Sequence, residues 1–212
     1  MVWPGRRNRE RTGERMFFYM PTEIYSEKNC VENHGAKMTS LGRKALIVTG
    51  RHSSRANGSL RDVERALEQN QKPYVLFDEI EENPSMETIM RGRDLGICQG
   101  ADFVIGIGGG SPMDPAKAIA LMMRHPQEGM DYLYKAGADS SAYPVVEVPT
   151  TCGTWSEATP YAILTIHAKR TKSSLPHKIY PALSLADPGY LAFAPMSVLQ
   201  STAIDTLGHF VE

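Results

Sequence analysis

Four short apolar runs recur along the chain, each closed by a turn former. Residues 44–49 end at Gly50, 73–77 at Asp78, 102–107 at three glycines, and 144–148 at Pro149. Nearly continuous Val, Ile and Leu is what strands buried on both faces of a parallel sheet require. Between the runs, apolar residues return at helical spacing. Residues 59–69 carry Leu60, Val63, Ala66 and Leu67; 85–99 carry Met86, Ile89, Met90 and Ile97; 112–124 carry Met113, Ala116, Ile119, Ala120 and Met123. Strand and helix alternate, so the expected fold is α/β, a doubly wound, mostly parallel sheet with right-handed crossovers.

After Pro149 the pattern changes. Residues 161–167 and 171–175 are β-like and flank Ala168-Lys169-Arg170, which reads as a hairpin, and 183–186 form a short strand closing on Asp187-Pro188. A last helix starts at Pro195-Met196-Ser197, with Ser197 as its cap. Val198, Leu199, Ala203, Leu207 and Phe210 form its apolar side, and Ser201, Asp205, His209 and Glu212 the opposite one. The sequence shows no internal repeat.

Composition narrows the function. The 212 residues are 42% hydrophobic and 22% charged with a net charge of −1, which provides no field for nucleic acid or an anionic membrane. Residues 1–15 hold five arginines against two glutamates, a local +3 that leaves −4 elsewhere. Pro4, Gly5 and the lack of an apolar run favour a disordered basic extension over a transit peptide or an RNA-binding arm, with the domain starting near Met16. No apolar window of about 18 residues is present to span a membrane. Cys30, Cys98 and Cys152 are widely spaced without a C-x-x-C, which fits a reduced, cytoplasmic setting. Cys152 reads as a small buried side chain rather than a nucleophile.

Three motifs carry chemistry. Gly108-Gly109-Gly110-Ser111-Pro112 follows a strand and opens a helix, where bare backbone N–H groups and the helix dipole bind phosphate. It is neither G-x-G-x-x-G nor a Walker loop. Thr150-Thr151-Cys152-Gly153-Thr154 follows the next strand and offers hydroxyls and amides to ribose and phosphate oxygens. Asp205 and His209 stand four apart on one helical face, so that a carboxylate and an imidazole could share a metal ion, although a catalytic metal usually takes three or four protein ligands.

In their joint order these motifs resemble the iron-containing (group III) alcohol dehydrogenases. The residues that carry the resemblance are Gly108-Gly109-Gly110-Ser111-Pro112-x-Asp114-x-x-Lys117, Pro149-Thr150-Thr151-x-Gly153-Thr154-x-x-Glu157, Asp187-Pro188 and Ala203-x-Asp205-x-x-x-His209-x-x-Glu212. Leu46-Ile47-Val48-Thr49-Gly50 and Asn57-Gly58-Ser59-Leu60 point to the butanol-dehydrogenase-like branch. The resemblance covers residues 17–212. It implies an NAD(P)-binding α/β domain over residues 16–194 and, over 195–212, the start of an all-helical metal-binding domain whose remainder lies beyond Glu212. It also implies a dimer, and hydride transfer between nicotinamide C4 and a metal-bound alcohol or aldehyde.

Carried over, Gly109, Gly110 and Ser111 would cradle the pyrophosphate with Asp114 nearby. Thr150, Thr151 and Thr154 would line the ribose and nicotinamide end, Lys172 would reach the cofactor, and Asn83 would border the adenosine. Asp205 and His209 would be the first two ligands of Fe2+, or of Zn2+, and no separate catalytic residue is implied. Family members that prefer NAD carry an Asp after Ile-Val-Thr. Here Gly50, Arg51 and His52 follow, so NADP(H) is expected over NAD(H), with Arg51 on the 2′-phosphate. The resemblance also implies a hairpin at the first strand, but Ser26-Glu27 replaces its glycine turn. His34, His125, His167 and His177 are expected at the surface or in loops. Two alternatives stand beside this reading: a zinc enzyme of the glycerol-dehydrogenase or dehydroquinate-synthase kind, and a non-catalytic nucleotide-binding product. The 212-residue chain alone is expected to be inactive.

Overall fold

The computed structural model describes residues 19–166 and 170–211, the last three of these as backbone. The basic extension, His167, the tip of the hairpin at 168–169, Glu212 and the side chains of His209 and Phe210 lie outside the described residues. The strands are β1 (Glu23–Ser26), β2 (Ala45–Thr49), β3 (Tyr74–Phe77), β4 (Phe103–Gly108), β5 (Val145–Pro149), β6 (Ile163–Ile166), β7 (Thr171–Ser174) and β8 (Leu183–Ala186). The helices are α1 (Cys30–Asn33), α2 (Gly35–Thr39), α3 (Ser53–Ala56), α4 (Ser59–Gln69), α5 (Met86–Gln99), α6 (Gly110–Arg124) and α7 (Met196–Val211).

The four apolar runs become β2, β3, β4 and β5, within a six-stranded sheet of order β1-β8-β5-β4-β2-β3 in which every pairing is parallel. All residues of β2, β4 and β5 are buried, because the sheet is covered on both faces. Leu46, Val48, Val104 and Val145 point into the layer under α5 and α6. Ala45, Ile47, Ile105, Ile107, Val146 and Val148 point the other way, with Leu60, Val63 and Leu67 of α4. The hairpin is present as the antiparallel pair β6–β7.

The fold corrects several expectations. Among the described residues, β1 pairs in parallel with β8 and the chain runs on into α1. On α5 the inward face holds Ile89 with Gly92 and Gly96, while Ile97 is exposed. The glycines let α5 approach α6 so closely that a Cβ on Gly92 would lie 2.5 Å from Ile119 Cδ1. On α7 the half-buried line is Val198, Leu199, Thr202 and Thr206, and Ala203 and Leu207 face outward. Cys152 is exposed. His177 is buried, hydrogen-bonded through Nε2 to the Tyr132 carbonyl at 2.9 Å and through Nδ1 to Ser140 Oγ at 3.1 Å.

From β2 the chain steps outward to β3 and then returns to β4 on the opposite side of β2. This reversal leaves a crevice beyond the carboxyl ends of β2 and β4, the place where open α/β sheets bind ligands. Among the described residues, no helix is long and apolar enough to cross a membrane.

Candidate functional site

The loops that leave the carboxyl ends of β2, β3, β4 and β5 meet at this crevice. Gly108 ends β4 with φ +143°, and a Cβ there would strike Pro112 Cγ at 2.3 Å, so only glycine makes this turn. Gly109 is the N-cap of α6, and among the described residues no side-chain cap bonds to the helix start. The first N–H groups of a buried-core helix are therefore left for another acceptor. Ser111 Oγ donates to the Glu82 carbonyl at 2.9 Å, which places exposed Asn83 beside the glycine turn.

The threonine loop lies directly against the glycine turn. Thr150 N donates to the Gly108 carbonyl at 2.9 Å, and Thr49 Oγ1 to the Ile107 carbonyl at 2.9 Å. A Cβ on Gly109 would lie 2.8 Å from Thr151 Oγ1, and one on Gly110 3.0 Å from Thr154 Cγ2. Thr150 is buried, whereas Thr151 and Thr154 reach solvent at the crevice. Trp155 follows, half exposed and left-handed at φ 51°, a conformation that costs a bulky residue about 1–3 kcal/mol.

The last helix packs on the outer side of this loop. A Cβ on Gly153 would lie 3.0 Å from Asp205 Oδ2 and 3.1 Å from the Thr202 carbonyl. Cys152 Sγ stands 3.7 Å from Thr202 Oγ1. The Asp205 carboxylate therefore stands at the threonine loop. His209 lies one turn on, its side chain outside the described residues. Among the described residues, no group of three His, Cys, Asp or Glu side chains is placed to hold a metal. A carboxylate and an imidazole fit the hard and borderline donors that Fe2+ or Zn2+ takes, but supply two of the usual three or four.

At the other end of the crevice, Gly50 follows β2. A Cβ there would lie 3.4 Å from the Ile80 carbonyl, an ordinary contact, so the position has room for a side chain. Arg51 and His52 are exposed beside it. Arg55 and Asp78, 23 residues apart, form an ion pair at 2.8 Å at the ends of α3 and β3. Asp78 closing an apolar run was the available signal.

One residue expected near the ligand faces inward. Asp114 turns inward, accepting hydrogen bonds from Ser156 Oγ at 2.6 Å and from Ile163 N at 2.9 Å. Lys172 is exposed on β7, opposite Thr165 in the hairpin register. Lys117 is wholly buried beside Asp114, and its position inside the apolar stripe of α6 could have flagged it. Burial pushes the Asp114 and Glu157 carboxyls up and the Lys117 ammonium down, opposed in each case by the opposite charge nearby. Glu147, fully enclosed between β4, β5 and α6, is pushed well above the carboxylate range by burial.

The chain is similar to known proteins over most of its length. The family model described as iron-containing alcohol dehydrogenase matches residues 21–188. The long-chain primary alcohol dehydrogenase of Thermoanaerobacter ethanolicus is 32% identical over 169 residues, which is 79% of this chain and 42% of that protein. The NADPH-dependent butanol dehydrogenase of Clostridium saccharobutylicum is 28% identical over 93% of this chain and 51% of its own length. The crystal structure of an iron-containing alcohol dehydrogenase from Thermotoga maritima superposes with a TM-score of 0.88 at 40% identity, covering 92% of this chain and 54% of that one. The chain belongs to the iron-containing alcohol dehydrogenase family. It spans about half the length of the relatives it matches.

Proposed function

We propose that this chain is the cofactor-binding part of a metal-dependent, NADP(H)-linked alcohol dehydrogenase acting on a small alcohol or aldehyde. The observation that carries the reading is the convergence of Gly109, Gly110, Thr151, Thr154 and Asp205 at the carboxyl ends of β4 and β5. Gly109, Gly110 and Ser111 bind the pyrophosphate through backbone N–H groups at the start of α6. Asn83 and Gly50 border the adenosine, with Arg51 taking the 2′-phosphate in charge-assisted bonds. Thr150, Thr151 and Thr154 hold the nicotinamide end against α7. Lys172 is retained on the resemblance alone.

Asp205 and His209 would give a carboxylate and an imidazole to Fe2+ or Zn2+, the other donors coming from beyond residue 212. When bound, such a metal supplies a Lewis acid for the substrate oxygen. In this arrangement α7 opens a second, helical domain, and the working unit is a cytoplasmic homodimer.

Titration of the 212-residue chain with NADPH and NADH, followed by the fluorescence of Trp155 in the threonine loop, tests the proposal. NADPH should bind about tenfold tighter than NADH, and Gly50→Asp should reverse the order. Failure to bind either dinucleotide would refute it. Equal affinity for both, unchanged in Gly50→Asp, would remove the preference for NADP(H).

A further inference from the structure

Two residues of α6 grip the threonine loop from its inner side. The Lys117 ammonium lies 2.6 Å from the Ser156 carbonyl, 2.8 Å from Ser156 Oγ, and 2.9 Å from the carbonyls of Thr159 and Tyr161. A neutral amine has two N–H groups and a lone pair, which would be turned against an oxygen here. Four surrounding oxygens call for the three donors of the charged form. One turn earlier on α6, Asp114 accepts from Ser156 Oγ and from Ile163 N. The Ser156 hydroxyl thus donates to the anion and accepts from the cation, linking the pair through one oxygen. Glu147 makes no hydrogen bond among the described residues through either oxygen. Asp114 is the carboxylate tied to Lys117 by hydrogen bonds, through the Ser156 hydroxyl.

The anchored segment, residues 156–163, is the continuation of the threonine loop. The helix that anchors it is the same one whose first turn is the glycine cradle. We propose that Asp114 and Lys117, joined through Ser156, are positioning residues that hold the threonine loop at a fixed distance from the Gly109–Gly110 turn. They thereby set the span over which the two ends of a dinucleotide are gripped at once. The inference rests on the nucleotide reading above and extends it from residues that face the ligand to residues that face away.

Such a clamp has a signature that a merely structural role lacks. A dinucleotide gains from simultaneous engagement at both ends, and that gain falls when the two half-sites are no longer held in register. A ligand that occupies only the adenosine and phosphate side does not depend on the span. The two probes are therefore NADPH and 2′,5′-ADP, titrated against the 212-residue chain as wild type, Ser156→Ala, Ser156→Thr and Lys117→Met.

Ser156→Ala should weaken NADPH about tenfold while leaving 2′,5′-ADP within about twofold, and Ser156→Thr, which restores the hydroxyl, should recover most of the loss. Lys117→Met should show the same split. If it fails to fold, the serine pair still decides. Equal proportional loss of both ligands in Ser156→Ala, or no loss of NADPH, overturns the clamp and leaves the nucleotide site standing. A wild-type chain that binds neither ligand overturns the nucleotide reading, and the clamp with it.

Discussion

Arg55 Nη2 donates to Asp78 Oδ2 at 2.8 Å, so the acidic residue that ends β3 beside the crevice is held by a cation. An unpaired carboxylate at this place would repel a 2′-phosphate, and the pairing dampens that repulsion.

Arg55→Ala should therefore lower NADPH affinity while sparing NADH, and Asp78→Asn should raise NADPH affinity or leave it unchanged. The expected shift in the NADPH-to-NADH ratio is about three- to tenfold, and larger at low salt because both groups are partly exposed. Calorimetric titration at two ionic strengths checks it; a ratio unmoved by Arg55→Ala would place the 2′-phosphate elsewhere.

Gly153 has a narrower requirement. Its missing side chain is what lets the threonine loop touch both Asp205 and the Thr202 carbonyl. Gly153→Ala introduces a contact that neither the helix backbone nor the loop yields to cheaply, at a cost of about 1–3 kcal/mol. Amide exchange across α7 should speed up at least about fivefold, with β4 and β5 unchanged. Uniform acceleration would mean that the loop, not the helix, had given way.

The buried acid makes stability depend on pH. Burial pushes the Glu147 carboxyl well above the usual carboxylate range, with Asp114 and Glu157 adding to the effect and Lys117 opposing it. In the unfolded chain the same carboxyl ionises near 4.5. Above that pH the folded state binds the extra proton, so the contribution of Glu147 is full below 4.5 and is lost as pH rises. Glu147→Gln cannot ionise in either state. It should match the wild type at pH ~4 and exceed it by about 1 kcal/mol or more at pH ~8 in urea unfolding. A gain of equal size at both pH values would show that packing, not ionisation, was changed.

Gly92 sets two local effects against each other. Alanine is a better helix former than glycine by about 1 kcal/mol. Against this, the added carbon would lie 2.5 Å from Ile119 Cδ1 and 3.1 Å from Phe77 Cε1. Ile119 is fully buried, so making room for the added carbon means overpacking at about 1–3 kcal/mol, which is expected to outweigh propensity. Gly92→Ala should lower the urea midpoint, and an increase would show that α5 and α6 are free to separate.

The 212-residue polypeptide by itself should not oxidise butanol, even with added Fe2+ and NADP+. On the proposed reading, Asp205 and His209 would supply two donors where a catalytic metal takes three or four. Formation of NADPH at a rate comparable with that of complete relatives would contradict the assignment of these two residues.

The sequence by itself determined β2, β3, β4 and β5. A strand covered on both faces is nearly continuous in apolar residues, as β2, β4 and β5 are, and the half-buried edge strand β3 has the same pattern. It also determined where phosphate-binding loops could occur, since glycine and threonine runs at strand ends show without coordinates. It did not reveal the pairing of β1 with β8, whose partners lie about 160 residues apart and share no local signal. Nor did it reveal that Asp114 turns inward or that Cys152 is exposed. An aspartate beside a glycine turn has the same local sequence whether it meets a ligand or Ser156. Only the tertiary structure decided, because a buried lysine, a serine hydroxyl and three turned-in carbonyls compete for the same polar partners once the loop closes over α6.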